Sequence, residues 1–167
     1  MSVSSGKTTI DGIGLDSNIF RISNITSTNA ALSVYSDKLK PPAQSKIKPL
    51  PVAALKKAHF PLQIDSLHLN NMAVNYTELN AKTKHTGHVY FTHVKASIQN
   101  INFQTQTATD SLRINASANF LDTLPVHIVM NESYIDSLNG LSMQLQLGHG
   151  DMRVLNPVCR MDRGRQW

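Results

Sequence analysis

The chain has 167 residues, 41% of them hydrophobic, with a formal net charge of +5 and a single cysteine. That length fits one domain able to bury a core. The lone Cys159 excludes an intrachain disulfide and a cysteine-based metal site, and no run of about 18 apolar residues is present to cross a bilayer as a helix. The opening Met1-Ser-Val-Ser-Ser-Gly6 lacks the apolar core of a signal peptide. By itself this predicts a cytoplasmic chain, although a piece of an exported protein would read the same way.

In chain order, Thr8 to Leu15 reads as a first strand, with Gly12 and Gly14 as weak points or sites of close backbone approach. Asn18 to Ile25 places Phe20 and Ile22 on a second strand that breaks at Asn24, and Ala30 to Tyr35 is a third. Residues 38–50 hold Pro41, Pro42 and Pro49 among lysines and form an exposed linker. Pro51 suits the first turn of a short helix over 51–59. Its small apolar face (Val52, Leu55, His59) predicts a lid or plug and not a core helix. Leu62–Leu69 and Met72–Leu79 alternate and are joined by Asn70-Asn71, which predicts a tight hairpin. Val89–Val94 and Ala96–Phe103 follow, then the unbroken alternation of Leu112, Ile114, Ala116, Ala118 and Phe120. Val126, Ile128 and Met130 form the next strand, and Leu141, Met143, Leu145 and Leu147 the last. Short strands separated by polar turns predict an all-β, meandering antiparallel sheet with one wetted face. Residues 1–157 form a single β-rich segment on this reading, and 158–167 an irregular basic tail.

Few residues carry the marks of chemistry. His85, His88 and His93 are spaced by odd numbers, which puts successive ones on opposite faces of a strand, and no carboxylate lies near them in sequence; no metal is predicted. Asp65 and Glu78 would face each other across the expected hairpin, as a polar rim pair. Asn24, Asn75, Asn115 and Asn131 match the glycosylation sequon, at a frequency chance explains. No nucleophile elbow and no glycine-rich phosphate loop occurs, so neither catalysis nor a cofactor is expected. The basic residues fall in two groups, Lys38, Lys40, Lys46, Lys48, Lys56 and Lys57, then Arg160, Arg163 and Arg165. Neither interleaves with aromatic residues as a nucleic-acid platform does, so no nucleic-acid partner is expected.

Several short patterns resemble one family. Ile64-Asp-Ser-Leu-x-Leu-x-Asn-x-x-Val-x-Tyr76 with Glu78, Gly87-x-Val-x-Phe91, Ile98-Gln-Asn-Ile101, Val34-Tyr35-Ser-Asp-Lys38, Leu50-Pro51 and Leu155-Asn156-Pro157 are similar to the AsmA-like envelope proteins, especially their large Bacteroidetes members. The resemblance implies a piece of a long periplasmic β-sheet protein, held at the inner membrane by a helix in a flanking segment. It implies an elongated open groove with an apolar lining, serving outer-membrane biogenesis or lipid transport between membranes.

The groove requires aliphatic side chains on one face, and Leu112, Ile114, Ala116, Ala118 and Phe120 with Leu141, Met143, Leu145 and Leu147 supply them. The small Ala116 and Ala118 leave room for a lipid acyl chain. The competing reading is a closed β-sandwich serving as a binding or adhesion module, in which these faces cover each other about 10 Å apart.

Overall fold

Alternating apolar and polar residues drive most of this chain into strands. The computed structural model contains β1 (Ser2–Ser4), β2 (Lys7–Asp16), β3 (Ile19–Thr28), β4 (Ala31–Asp37), α1 (Pro51–Ala58), β5 (Leu62–Leu79), β6 (Thr86–Asn102), β7 (Ser111–Phe120), β8 (Leu124–Ser133) and β9 (Leu141–Leu147). It describes residues 1–4, 6–39, 49–58, 60–103, 110–135, 140–150 and 153. His59, Cys159, Lys40, Lys46, Lys48, the Leu155-Asn156-Pro157 motif and the basic tail 158–167 lie outside the described residues. The nine strands form one open sheet, so the all-β open architecture holds and the closed sandwich does not. No described helix is long and apolar enough to cross a membrane.

Two features depart from the expected meander. From β5 to β9 each strand is antiparallel to the next, but β3 and β4 both run parallel to β5, one beside its first half and the other beside its second. The sheet is therefore mixed. Parallel neighbours require a crossover, which is the task of the segment from Lys38 through α1. The second departure concerns Asn70-Asn71, which makes no hairpin: Leu62–Leu79 is one continuous strand. Asn71 does adopt a left-handed backbone (φ 53°), as the sequence argued, but it spends that conformation on a bulge. The two-residue turn belongs instead to Ser17-Asn18, with φ of 49° and 67°, between β2 and β3.

Five of the ten described left-handed residues fall in two rows across the sheet, the other five lying in the connections between strands. One row contains Asn29 (φ 57°), Asn71 (φ 53°) and His93 (φ 51°). Asn71 Nδ2 donates to Asn29 Oδ1 at 2.7 Å, and His93 Nδ1 lies 3.0 Å from Asn71 Oδ1. Gly6 closes this row, where a Cβ would meet the Thr28 carbonyl oxygen at 2.8 Å. The other row holds Gly12 (φ 66°) and Asn100 (φ 59°). A Cβ on Gly12 would sit 2.4 Å from Ser23 Oγ. At Asn71 and His93 the register shifts, as in a bulge, which bends a strand and sharpens its twist. Along the Gly12–Asn100 row the pairing register is kept and the left-handed backbone alone departs from the strand. Both rows act as creases.

The creases also set which side chains share a face. Residues an odd number apart on a regular strand point to opposite sides, yet Ile22 with Ile25, Ile64 with Leu67, and Ile98 with Ile101 all join one cluster. Each pair straddles the Gly12–Asn100 crease. Likewise Ala96 pairs with Ala116 and Phe91 with Phe120, and β7 runs without interruption between those partners. Ala96 and Phe91 therefore share a face across His93. The Phe91 and Phe120 rings confirm it, at 5.2 Å between centroids.

An Asn71→Val substitution, which forces a β-branched residue into the left-handed region, is expected to cost about 1–3 kcal/mol. Asn71→Gly, which accepts that backbone freely, is expected to cost clearly less. Urea unfolding of both variants checks this, and equal losses would remove the crease account.

Candidate functional site

Register turns the strands into apolar rows, because residues paired across a ladder share a face. The longest row is Ile10–Ile25–Leu67–Ile98–Ile114–Met130–Met143, which crosses the sheet from β2 to β9. Beside it runs Leu69–Ala96–Ala116–Ile128–Leu145. Ala118–Val126–Leu147 comes next, then Leu32–Val74–Phe91–Phe120–Leu124. The opposite face is polar, with rows such as Asn24–Ser66–Gln99–Arg113–Asn131–Ser142.

One end of the apolar face is packed shut. Val52 of α1 is 3% exposed and lies with Ile64, Ile101, Leu112 and Tyr134 in the core cluster, with Leu55, Leu62 and Phe103 around it. Helix α1 thus plugs this end, but it does so as part of the core cluster, whereas its small apolar face argues for a lid or plug and not a core helix. The buried Glu132 accepts a hydrogen bond from the Val52 amide at 3.1 Å, a carboxylate at the positive end of the helix. Lys56 Nζ donates to the Tyr134 carbonyl oxygen at 3.1 Å. The Tyr134 hydroxyl donates to the carbonyl of Asn100 and accepts from the Asn102 amide at 2.9 Å. It ties the crease residue Asn100 to the plug.

Beyond the plug no described helix or strand covers the apolar face, although Leu124 at its far end is 3% exposed with Gly150 against it. Along β7 the apolar-face residues Ile114, Ala116, Ala118 and Phe120 are half-buried while Arg113, Asn115 and Ser117 on the other side are exposed. In a sheet with no second layer this asymmetry reflects neighbouring apolar rows leaning on one another. Ala96 against Ala116, with Ala118 adjacent, makes a low floor between the Ile98–Ile114–Met130 row and the Phe91–Phe120–Leu124 row. At about 3.3 Å per residue, the distance along β7 from Ile114 to Phe120 is about 20 Å, comparable to an extended acyl chain.

The residues singled out from sequence divide into three groups. Leu112, 3% exposed, is sealed under α1. Ile114, Ala116, Ala118 and Phe120 line the half-buried floor and walls. Leu141, Met143, Leu145 and Leu147 lie at the rim, 41–59% exposed. Ala96, Ile98, Leu69 and Ile128 complete the face, and sequence reasoning missed them because their membership depends on cross-strand register.

The other candidates disperse. His88 contacts Thr77 at 3.1 Å and His93 contacts Asn71. Asp65 sits 3.8 Å from Arg21, and Glu78 lies 3.6 Å from Lys38 and accepts from the Tyr76 hydroxyl. Asp65 and Glu78 do not face each other, because they belong to one strand. A depression of about 450 Å³ is lined by His93, Lys95, Ser117, Asn119, His127 and Gln146 together with Ala118, Pro125, Val126 and Leu147, so polar and apolar side chains share its walls.

The fold and the face together define a one-sided, single-layer β-sheet with a helical plug. No protein-family model matches this chain, and no curated protein does either.

Burial pushes the Tyr134 hydroxyl above its usual value of 10.0, with the charges of Glu132 and Asp110 adding to the rise and the Asn102 amide opposing it. The native state keeps this proton at a pH where an unfolded tyrosine has lost it. The stability it contributes is therefore complete below pH 10 and lost as the pH climbs above 10 towards the native value. Tyr134→Phe is expected to cost about 1–3 kcal/mol at neutral pH, since the Asn102 amide and Asn100 carbonyl lose their partner. Above about pH 10 its stability should fall less steeply than that of the parent chain. Parallel declines in chemical unfolding across that range would contradict the role given to Tyr134.

Proposed function

We propose that this chain is a non-enzymatic β-groove segment of the AsmA-like kind, located in the periplasm or cell envelope, whose apolar face receives lipid acyl chains. In that role it contributes to outer-membrane biogenesis or to lipid transport between membranes, and reaches the membrane through segments flanking it in the full-length protein. The observation that carries this reading is the uncovered apolar face with its alanine floor, Ala96, Ala116 and Ala118. The sequence patterns shared with the AsmA-like proteins support the same reading independently of the geometry.

The chemistry is simple. Each methylene withdrawn from water contributes about 0.8 kcal/mol, close to fourfold in affinity. A half-covered chain on an open face gains a fraction of that per carbon. The site needs no catalytic group, no metal and no specific headgroup contact, and it selects for length and flexibility of the hydrocarbon. One end is shut by α1, and at the other Leu124 is 3% exposed with Gly150 against it, so a guest would enter over the β9 rim.

Lipid extraction from the purified chain followed by mass spectrometry should find acyl lipids, and fatty-acid affinity should rise with chain length by up to about fourfold per methylene. Ala116→Trp fills the floor and is expected to lower that affinity by about tenfold or more while the strand signature in circular dichroism persists. Absence of lipid, or affinity indifferent to both chain length and Ala116→Trp, would overturn the proposal.

A further inference from the structure

The geometry points to β9 as a docking edge for a second copy of this chain, pairing antiparallel with the β9 of that copy. The inference rests on the edge itself and not on the lipid reading.

The sheet has two long described edges, β2 and β9, and they differ in kind. β2 carries Lys7, Asp11 and Asp16, a left-handed Gly12 and a second glycine at 14. Charges, kinks and glycines are how proteins guard a free edge. β9, Leu-Ser-Met-Gln-Leu-Gln-Leu, has no charge, no proline and no glycine, and every residue in it is exposed. Among the described residues no strand pairs with its outer side. After Leu147 the chain stays alongside β8: the Gly148 amide donates to the Pro125 carbonyl at 2.7 Å, and Gly148 and Gly150 lie against Pro125 and Leu124.

A second copy fits this edge by symmetry. With a two-fold axis normal to the sheet at Gln144, Gln144 meets its own counterpart, Met143 meets Leu145, Ser142 meets Gln146, and Leu141 meets Leu147. An antiparallel pair about such an axis keeps like faces together, so apolar residues join apolar ones and amides join amides. Each copy carries a formal charge of +5, and β9 is a place where two copies approach without opposing charges. Pairing β9 with β2 would bring Lys7, Asp11 and Asp16 to an uncharged strand and would propagate into an open filament; β9 with β9 closes as a dimer. In that dimer the row from Ile10 to Met143 continues into the second copy.

Sedimentation of the full chain from about 1 to 100 μM should show a monomer–dimer equilibrium that stops at the dimer. Gln144→Lys sets two like charges at the axis and should raise the dimer dissociation constant about fivefold. Gln144→Glu should do the same, and an equimolar mixture of the two variants should recover dimer. In a Cys159→Ser background, Gln144→Cys should oxidise to a covalent dimer faster than a cysteine placed at Gly14 on β2. A monomer throughout this range, growth beyond the dimer, or failure of the charge-reversed mixture to recover would each overturn the inference.

Discussion

A β-strand has a period of two, and this chain does not keep it. On β5 the apolar-face residues Ile64, Leu67, Leu69, Met72, Val74 and Tyr76 are separated by three, two, three, two and two positions. On β6, Val89, Phe91, Val94, Ala96, Ile98 and Ile101 also contain two steps of three. A regular strand would scatter these residues over both faces. The gaps of three coincide with the two creases, Gly6–Asn29–Asn71–His93 and the row from Gly12 to Asn100. Each row resets the phase and returns the apolar residues to one side. A single apolar face depends on those few backbone conformations, which asparagine and glycine adopt at little cost.

These creases leave the molecule with an unusual division of labour. Close packing is concentrated at the end where α1 docks, and among the described residues the buried hydrophobic side chains are largely those around Val52 and Leu112, with Ala30 and Leu124 buried apart from them. The polar contacts there, from Glu132 to the Val52 amide and from Tyr134 to Asn100 and Asn102, join the helix to strands distant in sequence. Elsewhere stability rests on the ladders and on half-burial of one row against the next. Half-burial leaves apolar area in contact with water, and the burial of that area by a hydrocarbon guest is the driving force the proposed role uses.

The regular part of this design was legible in the sequence. Strands β7 to β9 have gaps of two throughout, and the alternations from Leu112 to Phe120 and from Leu141 to Leu147 are real strands on one face. The proline-led helix was legible for the same reason, a local signal with a local cause. The creased part was misread. The breaks in period two at Asn24 and at Asn70-Asn71 read as the ends of strands, because a turn and a bulge call for the same residues, while those at Asp65 and Asn100 fall inside segments that read as continuous strands. Only register separates a turn from a bulge, and register is a property of partners distant in the chain. The parallel placement of β3 and β4 beside β5 was hidden for that reason too. So was the alanine floor, since Ala96 gains its meaning from Ala116.

The most direct test of the account is to ask which face touches a hydrocarbon guest. A fatty acid bearing a diazirine on its chain, irradiated with the 167-residue chain and mapped by peptide sequencing, should mark Ala96, Ile114, Ala116, Ala118 and Ile128. Ser97, Asn115, Ser117 and His127 on the other face should stay unmodified. Adducts spread evenly over both faces, or gathered on the polar one, would contradict the claim that this sheet offers a single oily side to a lipid.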